Sequence, residues 1–458
     1  MQRIINTTHF FNKNHKIQPK MKLNYSLFII HCSFIILLGA QTPSAPWSLD
    51  QCVRYAVEHN LMVQQGALNV QLQENSLNTA RNSVWPAISG SASQSFSFGR
   101  GISEDNTYVS SNTANTSFGI GGSMDLFTGL RVKSNIEMGK LNLAAATADL
   151  EKAKYDIRIA VTQAFVQILY AMEVCDVAQQ QIAVDSQQLV RLMALEEVGK
   201  ASATEVSAQR SALAQSRLTA TQANNDLRLA LLDLSQLLEL PSPEGFSIAR
   251  PDYNITDGSA LPTADEVYAD ALRTMPSIKA EQLRMDCAKQ NITLAQSGYY
   301  PTLSLSGGIV TDYYALLGLT GRGFGEQLKN NFSPYVGLSL NVPIFDRLLT
   351  RNNIRNAKLQ YSGEQLQLES VKKSLYKEVQ QAYYGAVAAR DKYASSQVAE
   401  ESAREAFDLV SAKYEVGKAS ITEFNEAKSN YMQSTANLAR AKYEFMYQMK
   451  VLESYRGK

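Results

Sequence analysis

The chain has 458 residues, 45% of them hydrophobic, with a formal net charge of +1. That content is ample for one or two hydrophobic cores and excludes wholesale disorder, and the near-neutral charge gives no footprint for a nucleic-acid partner. Beyond residue 40 the only histidine is His59, so histidine-based metal sites and serine-type triads have almost no raw material.

Residues 1–40 carry Arg3, Lys13, Lys16, Lys20 and Lys22 but no acid, and Leu27 to Leu38 form an apolar run ending in Leu38-Gly39-Ala40. A basic start, a short apolar stretch and small residues at its end predict a secretory signal cleaved after Ala40. The alternative, a membrane anchor, needs a longer span than these twelve residues, which His31 also interrupts. Met21-Lys22 makes a more ordinary start than Met1, which would leave residues 1–20 as an extension. Cys32 lacks the small preceding residue of a lipoprotein signal. The signal holds five of the 44 basic residues, so the mature chain has 39 against 43 acids, a net charge of −4. It keeps Cys52, Cys175 and Cys287, an odd number within helical patterns, which favours buried thiols over a disulfide framework.

From Trp47 to Trp85 helical spacing (Val53 with Ala56, Leu68 with Leu72) predicts a helix over Leu49 to Val84. Pro86 then opens a stretch of period two. Between Ala87 and Phe98 the odd positions are Ala87 and then serines through Ser97, while Ile88, Ala92, Phe96 and Phe98 lie on the other face. That alternation predicts a strand with one polar and one mostly apolar face. Ser117 to Phe127 repeats it, and the polar or glycine-containing segment from Arg100 to Asn115 reads as a hairpin loop. Val132 to Glu197 is free of proline and rich in Ala, Gln, Leu, Lys and Glu, which predicts one helix about 100 Å long. Val198-Gly199-Lys200 breaks it, Ser202 can cap the helix that follows, and that helix is expected from Ala203 to Leu240.

The chain then starts again. Glu197-Val198-Gly199-Lys200-Ala201-Ser202 with Thr204-Glu205 recurs 218 residues later as Glu415-Val416-Gly417-Lys418-Ala419-Ser420 with Thr422-Glu423. Phe127 and Phe345, Lys140-Leu141 and Lys358-Leu359, and Val161 and Val379 match at the same offset. Ala56, Ala80 and Pro86 match Ala271, Ala295 and Pro301 at an offset of 215. Several matches in order predict a duplicated unit: residues 41–240, a linker over 241–262, and 263–458. The second copy offers a helix from Ala264 to Tyr299, strands around Leu303 to Tyr313 and Tyr335 to Val342 with a loop from Tyr314 to Asn331, and helices over Leu349 to Glu415 and Ile421 to Tyr455. In each copy the two shorter helices together match the long one, so they are expected to cover its apolar stripe end to end.

Four amphipathic strands are too few to close a barrel, for which about eight is the practical minimum, so oligomerisation must complete it. Phe96, Phe98, Tyr313, Phe332 and Tyr335 at one end, with Trp85, Phe127, Tyr299, Tyr300 and Phe345 at the other, suggest two aromatic belts. The mature chain reads as holding no apolar run long enough for a membrane helix, which leaves membrane contact to the strands.

The signal, the doubled unit, the paired Val-Gly-x-x-x-x-Thr-Glu turns and the strand exit Val342-Pro343-Ile344-Phe345-Asp346 together resemble the TolC family of outer-membrane efflux proteins over residues 47–456. The resemblance implies a mainly α fold with transmembrane β: a homotrimer with a twelve-stranded barrel on a long antiparallel coiled-coil barrel. It implies an exit duct for an inner-membrane pump and a periplasmic adaptor, in efflux or type I secretion. An enzymatic rival would need convergent acid, base or nucleophile groups, and beyond common Ser and Glu residues the sequence offers no such cluster, so neither enzymatic activity nor a cofactor is expected. By the same resemblance, Glu423 and Glu426 ring the periplasmic mouth, and Tyr414 and Glu205 form a hydrogen-bonded pair that holds it closed. Val198, Gly199 and Lys200 with Val416, Gly417 and Lys418 are the adaptor-docking tips. Ala419 departs from the family, whose best-known member has a basic locking residue there. A rival reading is a periplasm-spanning coiled-coil stalk merely anchored in the outer membrane, and for Glu423 and Glu426 the plain alternative is an ordinary solvated acidic face.

Overall fold

The computed structural model describes residues 46–102, 106–110, 112–251, 261–317 and 321–457. The expected signal, residues 252–260 of the expected linker and parts of both hairpin loops lie outside the described residues.

Helices α1 (Leu49–His59) and α2 (Leu61–Asn82) lead to strand β1 (Ala87–Ser97), a small ribbon of β2 (Arg100–Ile102) and β3 (Tyr108–Ser110), and strand β4 (Thr113–Phe127). The chain then runs through α3 (Arg131–Glu197) and α4 (Ala203–Leu237). The second half repeats the order with α5 (Ala264–Thr274), α6 (Pro276–Gln296), β5 (Thr302–Leu316), α7 (Phe324–Asn330), β6 (Ser333–Asn341), α8 (Leu349–Glu415) and α9 (Ile421–Tyr455).

The first helix of each half is broken where the sequence was read as continuous. Asn60 leaves helical dihedrals, caps α2 through Met62 N–H and donates to the Leu237 carbonyl at 3.1 Å. Its counterpart 215 residues on is Met275, pushed out of the helical region by Pro276, which opens α6. The duplication extends into the core. Cys52, Ala56, Val63, Ile157, Val161 and Leu234 are buried together in the first half, and Val267, Ala271, Ile278, Leu375, Val379 and Leu452 occupy the matching places in the second. Burial pushes the Cys52 thiol up to about 12, which keeps it protonated and unreactive.

One expectation fails here. Helix α3 does contain an 18-residue window apolar enough to cross a membrane, with mean hydropathy 1.3. Ala-rich packing positions raise that average: α2, α4, α6 and α9 all pack along α3, so its apolar stripe serves helix packing.

The strands form one antiparallel sheet in the order β1-β4-β5-β6, so the two hairpins lie side by side and β1 and β6 are its open edges. Register fixes the faces. Ile88, Gly122, Gly307 and Val336 form one cross-strand row, and Ala92, Phe118 and Thr311 another, on the apolar face. Ser89, Gly121, Gly308 and Tyr335 align on the opposite face with Ser93, Ser117 and Asp312. Tyr335 therefore does not belong to an aromatic belt on the apolar face. Its ring lies over Gly121 and Gly308, where a Cβ would come within 3.2 and 3.1 Å of it. A register shift between Asp125 and Phe127 brings Phe127 opposite Leu303, on the apolar face. Where β6 stops short, Gln327 of α7 accepts from Tyr314 N–H and donates to its carbonyl, both at 3.0 Å, in place of a strand partner. Helix α7 lies inside a segment whose composition reads only as a polar loop.

Each hairpin enters its long helix through two consecutive left-handed residues, Gly129-Leu130 and Arg347-Leu348. At Gly129 an added Cβ would sit 2.5 Å from Tyr300 Cβ, whereas Gly199, also left-handed, faces open space. Gly199→Ala is therefore expected to cost only the backbone strain of about 1–2 kcal/mol. Gly129→Ala adds a steric overlap and should lower the thermal midpoint clearly further, which paired melting curves would check.

Candidate functional site at the helical hairpin tips

The two turns close alike. Lys200 N–H donates to the Leu195 carbonyl at 2.8 Å and Lys418 N–H to that of Lys413 at 2.8 Å, with Gly199 and Gly417 supplying left-handed dihedrals of +72° and +73°. Val198 and Val416 project into solvent, 66% and 68% exposed. Each following helix begins with a reciprocal capping box. Ser202 N–H and Oγ donate to Glu205 Oε2 at 2.8 and 2.9 Å, and Ser420 N–H and Oγ donate to Glu423 Oε2 at 2.7 and 3.1 Å. These hydrogen bonds, the backbone one first, hold both carboxyls below the usual glutamate range.

Glu205 is thus committed to Ser202, and it makes no hydrogen bond to Tyr414 among the described residues. Tyr414 stacks on Phe424 with ring centroids 5.0 Å apart, and the Arg191 guanidinium sits 5.6 Å from its ring centre. Burial raises the Tyr414 phenol above its usual range, Gln188 and Arg191 pull it back, and the Glu205 carboxylate adds to the rise. Tyr414 and Glu205 are therefore within electrostatic reach of each other but share no hydrogen bond among the described residues. Arg191 also donates to the Glu415 carbonyl at 3.3 Å, which ties the first hairpin to the second at its tip. The second hairpin carries an aromatic ladder at seven-residue spacing, Phe407 with Phe424 at 5.6 Å and with Tyr431 at 5.7 Å.

On α9, Phe424 and Lys428 are buried while Glu423 and Glu426 are exposed. At 100° per residue the two acids centre roughly 150° away from the buried pair around the helix axis. One face of the helix is anchored and the opposite one presents two carboxylates.

Lys428 is the residue that the sequence hid most completely. It pairs with Asp185 of α3, the two side chains 5% and 1% exposed. Asp185 also accepts from Ser216, from Gln181 at 2.9 Å and from Gln209 at 3.1 Å. Burial pushes the Asp185 carboxyl up, but hydrogen bonds from Lys428, Ser216 and Gln181 outweigh it and hold the group below its usual range. Around this cluster Gln181 Oε1, Gln188 Nε2 and Gln209 Oε1 are buried with no hydrogen-bond partner.

The family model described as outer membrane efflux protein matches residues 53–239 and 267–457. The chain is similar to outer membrane protein TolC of Escherichia coli (strain K12), 23% identical over 432 residues, 92% of this chain and 84% of that one. It is also similar to the outer membrane efflux protein BepC of Brucella suis biovar 1, 21% identical over 393 residues, 85% of this chain and 80% of that one. Among solved structures, the CmeC outer membrane channel of Campylobacter jejuni superposes with a TM-score of 0.75 at 17% identity, covering 89% of this chain and 85% of that one.

Proposed function

This chain belongs to the outer membrane efflux protein family, and from that premise we propose how its parts assemble into a duct. It is an outer-membrane channel subunit of an efflux system, with its helical tunnel in the periplasm, and its family transports rather than catalyses. Three copies pair β6 of one chain with β1 of the next, giving a twelve-stranded barrel whose serine-rich face lines water and whose apolar face meets lipid. The observation that carries this is the two-faced sheet with both edges open, built from main strands of 9 to 15 residues. About 9–11 residues suffice to cross the hydrocarbon at a barrel's tilt. Large side chains exposed along the helices of a single chain, such as Leu68, Leu218, Leu359 and Leu366, support burial against neighbouring copies.

The repeats divide at 41–240 and 263–458, after a cleaved signal of residues 1–40, with 241–262 as the equatorial linker. Glu423 and Glu426 of three chains ring the periplasmic mouth, and Tyr414, through Phe424, Arg191 and Gln188 with Glu205 nearby, helps hold it closed. The exposed tips at Val198, Gly199 and Lys200 and at Val416, Gly417 and Lys418 dock a periplasmic adaptor, which connects the duct to an inner-membrane pump in efflux or type I secretion. Native mass spectrometry of the detergent-purified protein is the test of assembly. Three copies per particle are expected, and a stable monomer would remove the closed barrel.

A further inference from the structure

We infer that the buried pair of Asp185 and Lys428 is a polar clasp that holds the second helical hairpin against the first and keeps the periplasmic mouth shut. The inference rests on the proposed mouth at the hairpin tips and adds residues that no resemblance supplies.

The pair joins the two repeats, with Asp185 on α3, its partners Gln209 and Ser216 on α4, and Lys428 on α9. The other ion pairs between described residues all keep at least one partner open to solvent. A buried ion pair adds little stability over well-packed apolar residues, yet losing one partner strands a charge, so such pairs suit register and switching better than bulk stability. The internal repeat supports that reading. The positions 218 residues from Asp185, Gln188 and Gln209 are Ala403, Ala406 and Ala427, so the same helical hairpin packs in the second half with alanine at all three places.

Lys428 follows Phe424 on the anchored face of α9, opposite Glu423 and Glu426. Releasing the anchored face therefore moves the acids at the mouth.

Single-channel recording of purified trimers in planar bilayers, alongside trimer melting on gels, tests the clasp. Lys428→Met and Asp185→Asn, each of which unpairs one partner, are expected to raise the open fraction about tenfold or more. The double variant Asp185→Leu with Lys428→Met leaves no unpaired charge and should return the open fraction to the wild-type level or below. If a single variant does not assemble, Lys428→Gln, which retains a donor to Asp185, takes its place with the same expected direction. A purely structural pair would lower the melting midpoint and leave the open fraction unchanged, and that result, in trimers that assemble, overturns the clasp. A double variant as open as the singles also overturns it. A wild-type protein that conducts nothing would instead refute the duct itself.

Discussion

Glu423→Gln combined with Glu426→Gln is expected to reduce the channel's preference for cations about tenfold and to weaken block by multivalent cations. Three chains would place six carboxylates around the mouth. A monovalent ion about 7 Å from all six gains roughly 3–4 kcal/mol in water, which salt screening cuts to about 1.5 kcal/mol, or tenfold in local concentration. Both acids lie on the exposed face of α9, and the Ser420 hydrogen bonds hold the Glu423 carboxyl below its usual range, so Glu423 is ionised at neutral pH. Glutamine suits the test because it can occupy the same capping-box position, leaving the start of α9 intact. Reversal potentials across a salt gradient give the selectivity directly. Unchanged selectivity would return Glu423 to a helix cap and Glu426 to a solvated surface.

Leu338→Arg is expected to abolish assembled trimer from the outer-membrane fraction, while Ser339→Arg, one residue along β6, is expected to leave assembly intact. Leu338 pairs with Leu305 on the apolar face and is 67% exposed in the single chain, and Ser339 pairs with Ser304 on the polar face. An arginine on the lipid face near the bilayer midplane costs about 2–4 kcal/mol, hence about 6–12 kcal/mol for three copies. On the water-lined face it costs little in assembly and changes conductance instead. Gels of unheated membrane extracts would separate the two outcomes, and equal loss of trimer in both variants would contradict the assignment of faces.

What the sequence displayed was whatever depends on local period. The serine alternation of β1, the uninterrupted helical runs of α3 and α8, and the paired glycine turns at Gly199 and Gly417 all follow from nearest-neighbour spacing, and the duplication could be read by sliding the chain along itself. The misses are of another kind. Asn60 breaks a helix because the Leu237 carbonyl, 177 residues away, takes its amide. Pro276 marks the matching break in the sequence itself, since proline favours a helix start and disfavours helical dihedrals at Met275. Tyr335 has the ring of a belt residue, but its alternation with Val336 and Leu338 sets it on the polar face, where two glycines on neighbouring strands leave room for it. Asp185 and Lys428 are 243 positions apart, and each looks like an ordinary surface charge until the helices are packed. The resemblance pairs Glu205 with Tyr414, whereas its place three residues after Ser202 makes it first a helix cap.

The central claim is that separate chains lend one another strand edges to enclose a shared aqueous path. Conductance of the purified protein in planar lipid bilayers measures it most directly. Discrete, cation-selective current steps from particles of three chains are the predicted result, whereas membrane-inserted protein that passes no current would contradict it.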